Sequence, residues 1–158
     1  MAPTNSLSIV VRSEDNLVHK SIIEVSEQDH PEEQALIESV LRAYNVSSAP
    51  PSNHLPLRLT IKDSEGAVVG GLIGHSSYDW LFISVLIIPE ALRGKGVGRK
   101  LMEQAEQIAR ARKLTGIWLD TFDVQARPFY EKLGFSIFGE LRDHPRGISQ
   151  YWLQKRLD

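Results

Sequence analysis

The chain contains no cysteine. Disulfides, thiolate metal sites and a cysteine nucleophile are therefore excluded, and the absence fits a reducing compartment. No apolar run approaches the ~18 residues that a membrane-spanning helix needs. The opening stretch MAPTNSLSIVVRSEDN has no basic start followed by a long apolar run, so no secretory signal is expected. An excess of positive charge is missing as well. The 18 Lys and Arg stand against 20 Asp and Glu, a net charge of −2, and no basic stripe with interleaved aromatics is visible. That balance argues against nucleic acid as a partner. The expectation is a soluble, cytoplasmic protein with no membrane, nucleic-acid or metal partner.

The 158 residues suit one domain, 1–158, with one sizeable core. LSIVVR reads as a strand, and SIIEV as a second short strand or a lead-in. HPEEQALIESVLRAYN reads as a helix. Pro31 suits a first turn, Glu32 and Glu33 suit its positive end, and Leu36, Ile37, Val40, Leu41 and Tyr44 recur at helical spacing. The stretch 47–56, SSAPPSNHLP, is a polar, proline-rich loop. LRLTIKD and AVVGGLIG flank SEG, a hairpin signal. WLFISVLII is apolar on both faces, as a central strand should be, and Pro89 ends it. A helix follows from Val97 to about Lys113. TGIWLDTF is a strand, and QARPFYEKLG a short helix with Gly134 at its C-terminal cap. FSIFGEL and SQYWLQKRL are strands joined by the turn-rich RDHPRGI. The order describes a mixed α/β (α+β) fold, a mixed sheet with helices packed on it.

Between WLFISVLII and the next helix, Gly94, Gly96 and Gly98 occupy every second position, with Arg93, Lys95, Arg99 and Lys100 around them. A strand that ends in a turn opening a helix makes an anion site, because the first helical N–H groups have no internal partner. Glycine lets a ligand approach the backbone, and the cations add charge, so a phosphate-bearing ligand is indicated. The Walker pattern and the dinucleotide fingerprint are both absent. A flexible turn on a solvated basic face is the competing reading.

RGKGVG also has the form Arg-x-x-Gly-x-Gly. Downstream, ARPFYEKLGF carries a second match. The chain here resembles the GNAT (GCN5-related) N-acetyltransferases, whose pyrophosphate motif is Gln/Arg-x-x-Gly-x-Gly/Ala and whose second cofactor segment is often YEKLGF. The resemblance covers roughly Leu57 to Leu153. It implies a central, mixed but largely antiparallel sheet of about six to seven strands with about four flanking helices. It also implies a splay between the fourth and fifth strands, WLFISVLII and TGIWLDTF.

The resemblance also implies roles for single residues. Backbone groups of Leu86, Ile87 and Ile88 would pair with the pantetheine arm of acetyl-CoA, which behaves like a short strand. The pyrophosphate would sit on the turn formed by Arg93, Gly94, Lys95, Gly96, Val97, Gly98 and Arg99, with Phe129 close by. Tyr130 matches the family tyrosine that protonates the departing thiolate. A phenol with pKa near 10 stays protonated at neutral pH. The competing reading is an amphipathic-helix tyrosine that packs beside Phe129 and Leu133. Asp123 stands where many members carry a cofactor-binding asparagine. An ionised aspartate cannot donate a hydrogen bond, so it is a weaker cofactor ligand or a helix cap.

The general base is less defined. Asp120, His75, Asp79 and, as a water anchor, Ser84 are the candidates, with Asp120 first. Each also has an ordinary structural use. Tyr78, Trp80, Trp118 and His75, with His144, supply aromatic and polar walls for an acceptor amine that arrives as a cation. The implied activity is transfer of an acetyl group from acetyl-CoA, as co-substrate, to a primary amine by direct attack in a ternary complex. A small cationic amine is the favoured acceptor. A protein lysine or N-terminus, or a non-catalytic acyl-CoA sensor, are the alternatives. By analogy, the C-terminal strand QYWLQ could form a homodimer edge.

Overall fold

The structure is a computed structural model that describes residues 6–12, 18–48, 50–122 and 126–158, with side chains from residue 23 onward. Asp123 lies outside the described residues. The chain divides into two compact units, Met1–Ala49 and Pro50–Asp158.

In the first unit, β1 (Ser6–Arg12) and β2 (Val18–Glu24) form an antiparallel hairpin in register Ser6↔Glu24 to Arg12↔Val18. SIIEV therefore belongs to a strand. Helix α1 (Pro31–Ser48) follows. Pro31 opens it, Glu32 and Glu33 occupy its first turn, and the His30 carbonyl accepts the first helical hydrogen bond from Gln34 N–H. The helix continues through Ser48 and the next strand begins at Leu55, so the proline-rich loop is shorter than the composition suggests. Ser47 extends the helix by donating to the Tyr44 carbonyl.

The second unit is one six-stranded sheet, in the order β3-β4-β5-β6-β8-β7. Its strands are β3 (Leu55–Lys62), β4 (Val68–Ser77), β5 (Trp80–Ile87), β6 (Gly116–Phe122), β7 (Ser136–Leu141) and β8 (Gln150–Arg156). All neighbours are antiparallel except β5 and β6. Helix α2 (Val97–Ala111) makes the crossover between those two parallel strands, and α3 (Arg127–Glu131) links β6 to β7. The mixed, mainly antiparallel sheet is as expected. The helices number three among the described residues, not about four, because the segment from Pro89 to α2 holds only a single 3-10 turn, Glu90–Leu92. Strand β8 lies between β6 and β7. QYWLQ is thus an interior strand with both edges paired, and offers no edge for a dimer.

One face of the sheet carries the core. Leu57, Leu72, Leu81, Ile83, Ile117, Leu119 and Leu153 point to Met102, Ala105 and Ala109 of α2 and to Tyr130 and Phe135. The alternation in β6 is regular. Ile117, Leu119 and Thr121 are buried, while Trp118, Asp120 and Phe122 on the other face are half-buried. Alanine at 105 and 109, both fully buried, lets α2 lie close on the strands.

Polar ties fix α2 at its far end. Arg112 donates to the Leu55 and Pro56 carbonyls and to Ser76 Oγ, at 3.3, 3.1 and 3.1 Å. Glu106 accepts from Lys155 Nζ at 2.6 Å and from Arg110 at 2.8 Å. Burial acts to raise the Glu106 carboxyl, but the hydrogen bonds from Lys155 and Arg110 outweigh it and hold the group below the ordinary glutamate range.

Candidate active site

The site is built where β5 and β6 part. They pair from Trp80↔Gly116 to Ile83↔Leu119 and no further. A register shift at Ser84 follows. Beyond it β5 keeps its partner on the other side, with Val85↔Ile73, Leu86↔Leu72 and Ile87↔Gly71. Ser84 is the bulged residue, and its hydroxyl donates to the Ile73 carbonyl at 3.2 Å. From Ser84 to Ile87 the β6-facing backbone of β5 therefore has no strand partner among the described residues. An extra residue in one strand bends it and raises the local twist, which accounts for the splay.

The glycine turn sits at the end of this open strand. Gly94 and Gly96 have φ of 70° and 77°, and a Cβ at either would meet nothing within 4 Å. Their backbone conformation requires glycine, and the space before them is open. Gly96 is the N-cap of α2 and supplies no side-chain cap. The third glycine has a different reason. A Cβ at Gly98 would stand 3.3 Å from the Phe129 ring and 3.5 Å from Ile88. The two sequence motifs therefore meet at Gly98, with Ile88, Gly98 and Phe129 packed together. Arg99 from the first motif and Lys132 from the second line one cavity of about 140 Å³. Arg93 turns back, and its Nε donates to the Ile88 carbonyl at 3.2 Å. Lys95 is exposed in the turn.

Tyr130 is buried in α3, between Phe129 and Phe135, with ring centroids 5.1 and 6.0 Å away. Burial first, and the Asp120 carboxylate second, push its phenol up to about 12. Asp120 is the first β6 side chain past the last rung shared with β5 on the face opposite α2. Its Oδ2 accepts from Gln150 Nε2 at 2.7 Å. Tyr130 and Asp120 thus interact electrostatically at the mouth of the splay.

The remaining residues separate into two groups. Tyr78 and Asp79 form the tight turn between β4 and β5, with φ of 46° and 67°. That is the backbone of a two-residue hairpin in which both central residues have positive φ. Trp80 starts β5, and its ring covers Gly116. Strand geometry puts Trp80 about 23 Å from Ile87, at the end of β5 away from the glycine turn. His75 lies on β4 rather than in a loop. Its ring stacks on His54 at 4.8 Å and meets Phe82 edge-on at 5.6 Å, and Phe82 stacks on Trp118 at 4.1 Å. On the far side of Asp120, Phe122 lies 6.4 Å from the His144 ring.

Sequence reasoning missed His54, Phe82, Phe122 and Gln150 as members of this face. Only the cross-strand register brings them to it. Among the described residues no group of His, Asp and Glu is arranged to hold a metal, and no helix is long and apolar enough to cross a membrane.

A parallel strand pair that opens beside a glycine-rich helix start, with a buried tyrosine at the mouth, is the architecture of an acyltransferase. The chain matches the Acetyltransferase (GNAT) family over residues 20–135, and it belongs to that family. It is 38% identical over 125 residues to an acetyltransferase of Agrobacterium fabrum, covering 79% of this chain and 91% of that one. It is 37% identical over 95 residues to the blasticidin-S acetyltransferase of Streptomyces morookaense, covering 58% and 68%. A crystal structure of an acetyltransferase from Agrobacterium tumefaciens superimposes with a TM-score of 0.78 at 36% identity, over 84% of this chain and 97% of that one.

Proposed function

We propose that the protein is an N-acetyltransferase that moves the acetyl group of acetyl-CoA to a small cationic primary amine by direct attack in a ternary complex. The observation that carries this reading is the arrangement of Tyr130 and Asp120 at the open end of the β5–β6 pair. Leu86, Ile87 and Ile88 would align the pantetheine arm. The turn from Arg93 to Arg99 would hold the pyrophosphate on backbone N–H groups and cations. Phe129 would support the turn from below. The match over residues 20–135, which includes part of each compact unit, supports treating 1–158 as one acyltransferase domain.

Asp120 receives the ammonium and accepts a hydrogen bond from it, and one proton passes from the nitrogen through water to solvent. The freed amine nitrogen attacks the thioester carbonyl, the C–N bond forms and the C–S bond breaks. A second proton leaves the nitrogen. One of the two protons ends on sulfur as the free thiol and the other in solvent. A phenol at about 12 is a poor sole donor to a thiolate whose acid is near 8.5, because that transfer is uphill by roughly 5 kcal/mol. Tyr130 therefore acts first as a hydrogen-bond donor to the developing thiolate. The positive charge that the nitrogen carries after attack offsets the opposition of the Asp120 carboxylate to tyrosinate, so Tyr130 donates more readily. The two groups work as a coupled pair.

A relative that bears the name of an antibiotic acetyltransferase supports a small-molecule amine as acceptor. The test is release of free thiol from acetyl-CoA across an amine panel, with calorimetry against CoA alongside. No CoA binding at micromolar concentration would remove the reading. Binding without thiol release would favour an acyl-CoA sensor.

A further inference from the structure

We propose that the acceptor is a singly charged amine carried on a flat aromatic or heteroaromatic body, rather than a polyamine, a multiply charged amino sugar or a lysine side chain. The proposal rests on the reading of Asp120 as the group that meets the amine, and adds the chemistry of what the amine is attached to.

The face opposite α2 presents rings in a row from three strands and from His54, just before β3. From the β3 end they are His54, His75, Phe82 and Trp118, each 4.1 to 5.6 Å from the next. His75, Phe82 and Trp118 are half-buried, so each keeps surface for a ligand. The row ends on β6, one same-face position from Asp120. A flat group can lie on this strip by stacking, while its ammonium reaches the carboxylate. An aliphatic chain would gain area there but none of the ring-to-ring attraction.

Charge sets the valence. Asp120 is the only carboxylate placed on this strip among the described residues of the second unit. Glu140 pairs in register with Tyr151, whose ring packs under Arg127 of α3 on the other face, and it is engaged by Ser149 and Arg142. Asp143 accepts from the Gly147 N–H at 3.0 Å, and Asp79 is at the remote hairpin turn. Arg58 stands opposite Ile73 on β3, on the same face as His75. Among the described residues of the second unit, a second or third ammonium on this strip would therefore meet rings, imidazoles and a guanidinium instead of a counter-charge, and moving it out of water would go uncompensated there. Gln150, which donates to Asp120 Oδ2, leaves Oδ1 without a hydrogen-bond partner among the described residues, which suits one incoming ammonium.

The test compares phenethylamine, 2-cyclohexylethylamine and spermidine on the full chain saturated with CoA, by calorimetry, and with acetyl-CoA, by thiol release. Phenethylamine should bind about tenfold more tightly than its saturated analogue, and spermidine more weakly than either. Phe82→Leu should bring the ratio of the two monoamines close to one. Asp120→Asn should weaken both alike and preserve the ratio. Equal affinities, no binding of any amine, or tightest binding of spermidine would each overturn the proposal. Thiol release from both monoamines without aromatic preference would overturn it and leave the acetyltransfer reading standing. Aromatic-selective binding without thiol release would support it and overturn the acetyltransfer reading.

Discussion

The two ends of the strand pair β5–β6 are made differently. The C-terminal end, with its splay and glycine turn, is a site of backbone. Gly94 and Gly96 serve it by their φ of 70° and 77° and by open space. The ring-lined face is a site of side chains, assembled by register from β4, β5 and β6, with His54 added from just before β3. Backbone sites need a local run of residues and tolerate varied neighbours. Side-chain sites need distant residues to arrive together. The first kind can hold one shared group in many proteins, and the second can vary with the acceptor.

This contrast can be broken at its junction first. Asp120→Asn should lower the turnover of amine about 10³-fold while acetyl-CoA affinity stays within about twofold, measured by steady-state kinetics and calorimetry. Tyr130→Phe should lower turnover about 10²-fold with acetyl-CoA binding nearly intact. Unchanged turnover would remove the tyrosine from the chemistry. On the backbone side, Gly96→Val should weaken CoA about 10- to 30-fold, because a β-branched residue resists positive φ by about 2 kcal/mol. The aromatic preference among amines should not change in that variant.

Two smaller effects concern stability. Between pH 10 and about 12 the unfolded tyrosine is ionised while folded Tyr130 is still protonated. The unfolded state then binds fewer protons, so stability must fall as pH rises through this window. The loss should be about 2 to 3 kcal/mol greater than in Tyr130→Phe, by denaturant titration at each pH. Arg112→Ala removes the donor to Leu55, Pro56 and Ser76, far from the splay. It should cost about 2 kcal/mol of stability with kcat/KM held within about twofold.

Much of the second unit was legible in the residues. The strand WLFISVLII, the helix from Val97 and the Gly134 cap follow from local patterns, and the structure has them. The order of the two motifs pointed to one family, but their meeting at Gly98 and Phe129 is a tertiary contact that the residues did not disclose. Other features were hidden for definite reasons. The tight turn at Tyr78–Asp79 lacks the glycine that usually marks positive φ, so β4 appeared to end before His75. The apolar content of QYWLQ did not disclose that β8 enters between β6 and β7. Trp118 and His75 could be suspected as acceptor walls, but Phe82 looked like ordinary strand core until the register set it against Trp118.

By itself the sequence determined what local geometry and chemistry require: where the chain must turn with glycine, which helix start is bare and cationic, and that no cysteine side chain takes part. The splay of β5 from β6 was expected from the family resemblance, and the tertiary structure decided where it begins, after Ile83↔Leu119, which places Asp120 near Tyr130 and lines one face with rings. The physical reason is one of range. A glycine turn is specified by torsions within a few residues, whereas the opening of a sheet and the company of a carboxylate depend on register between strands distant in the chain.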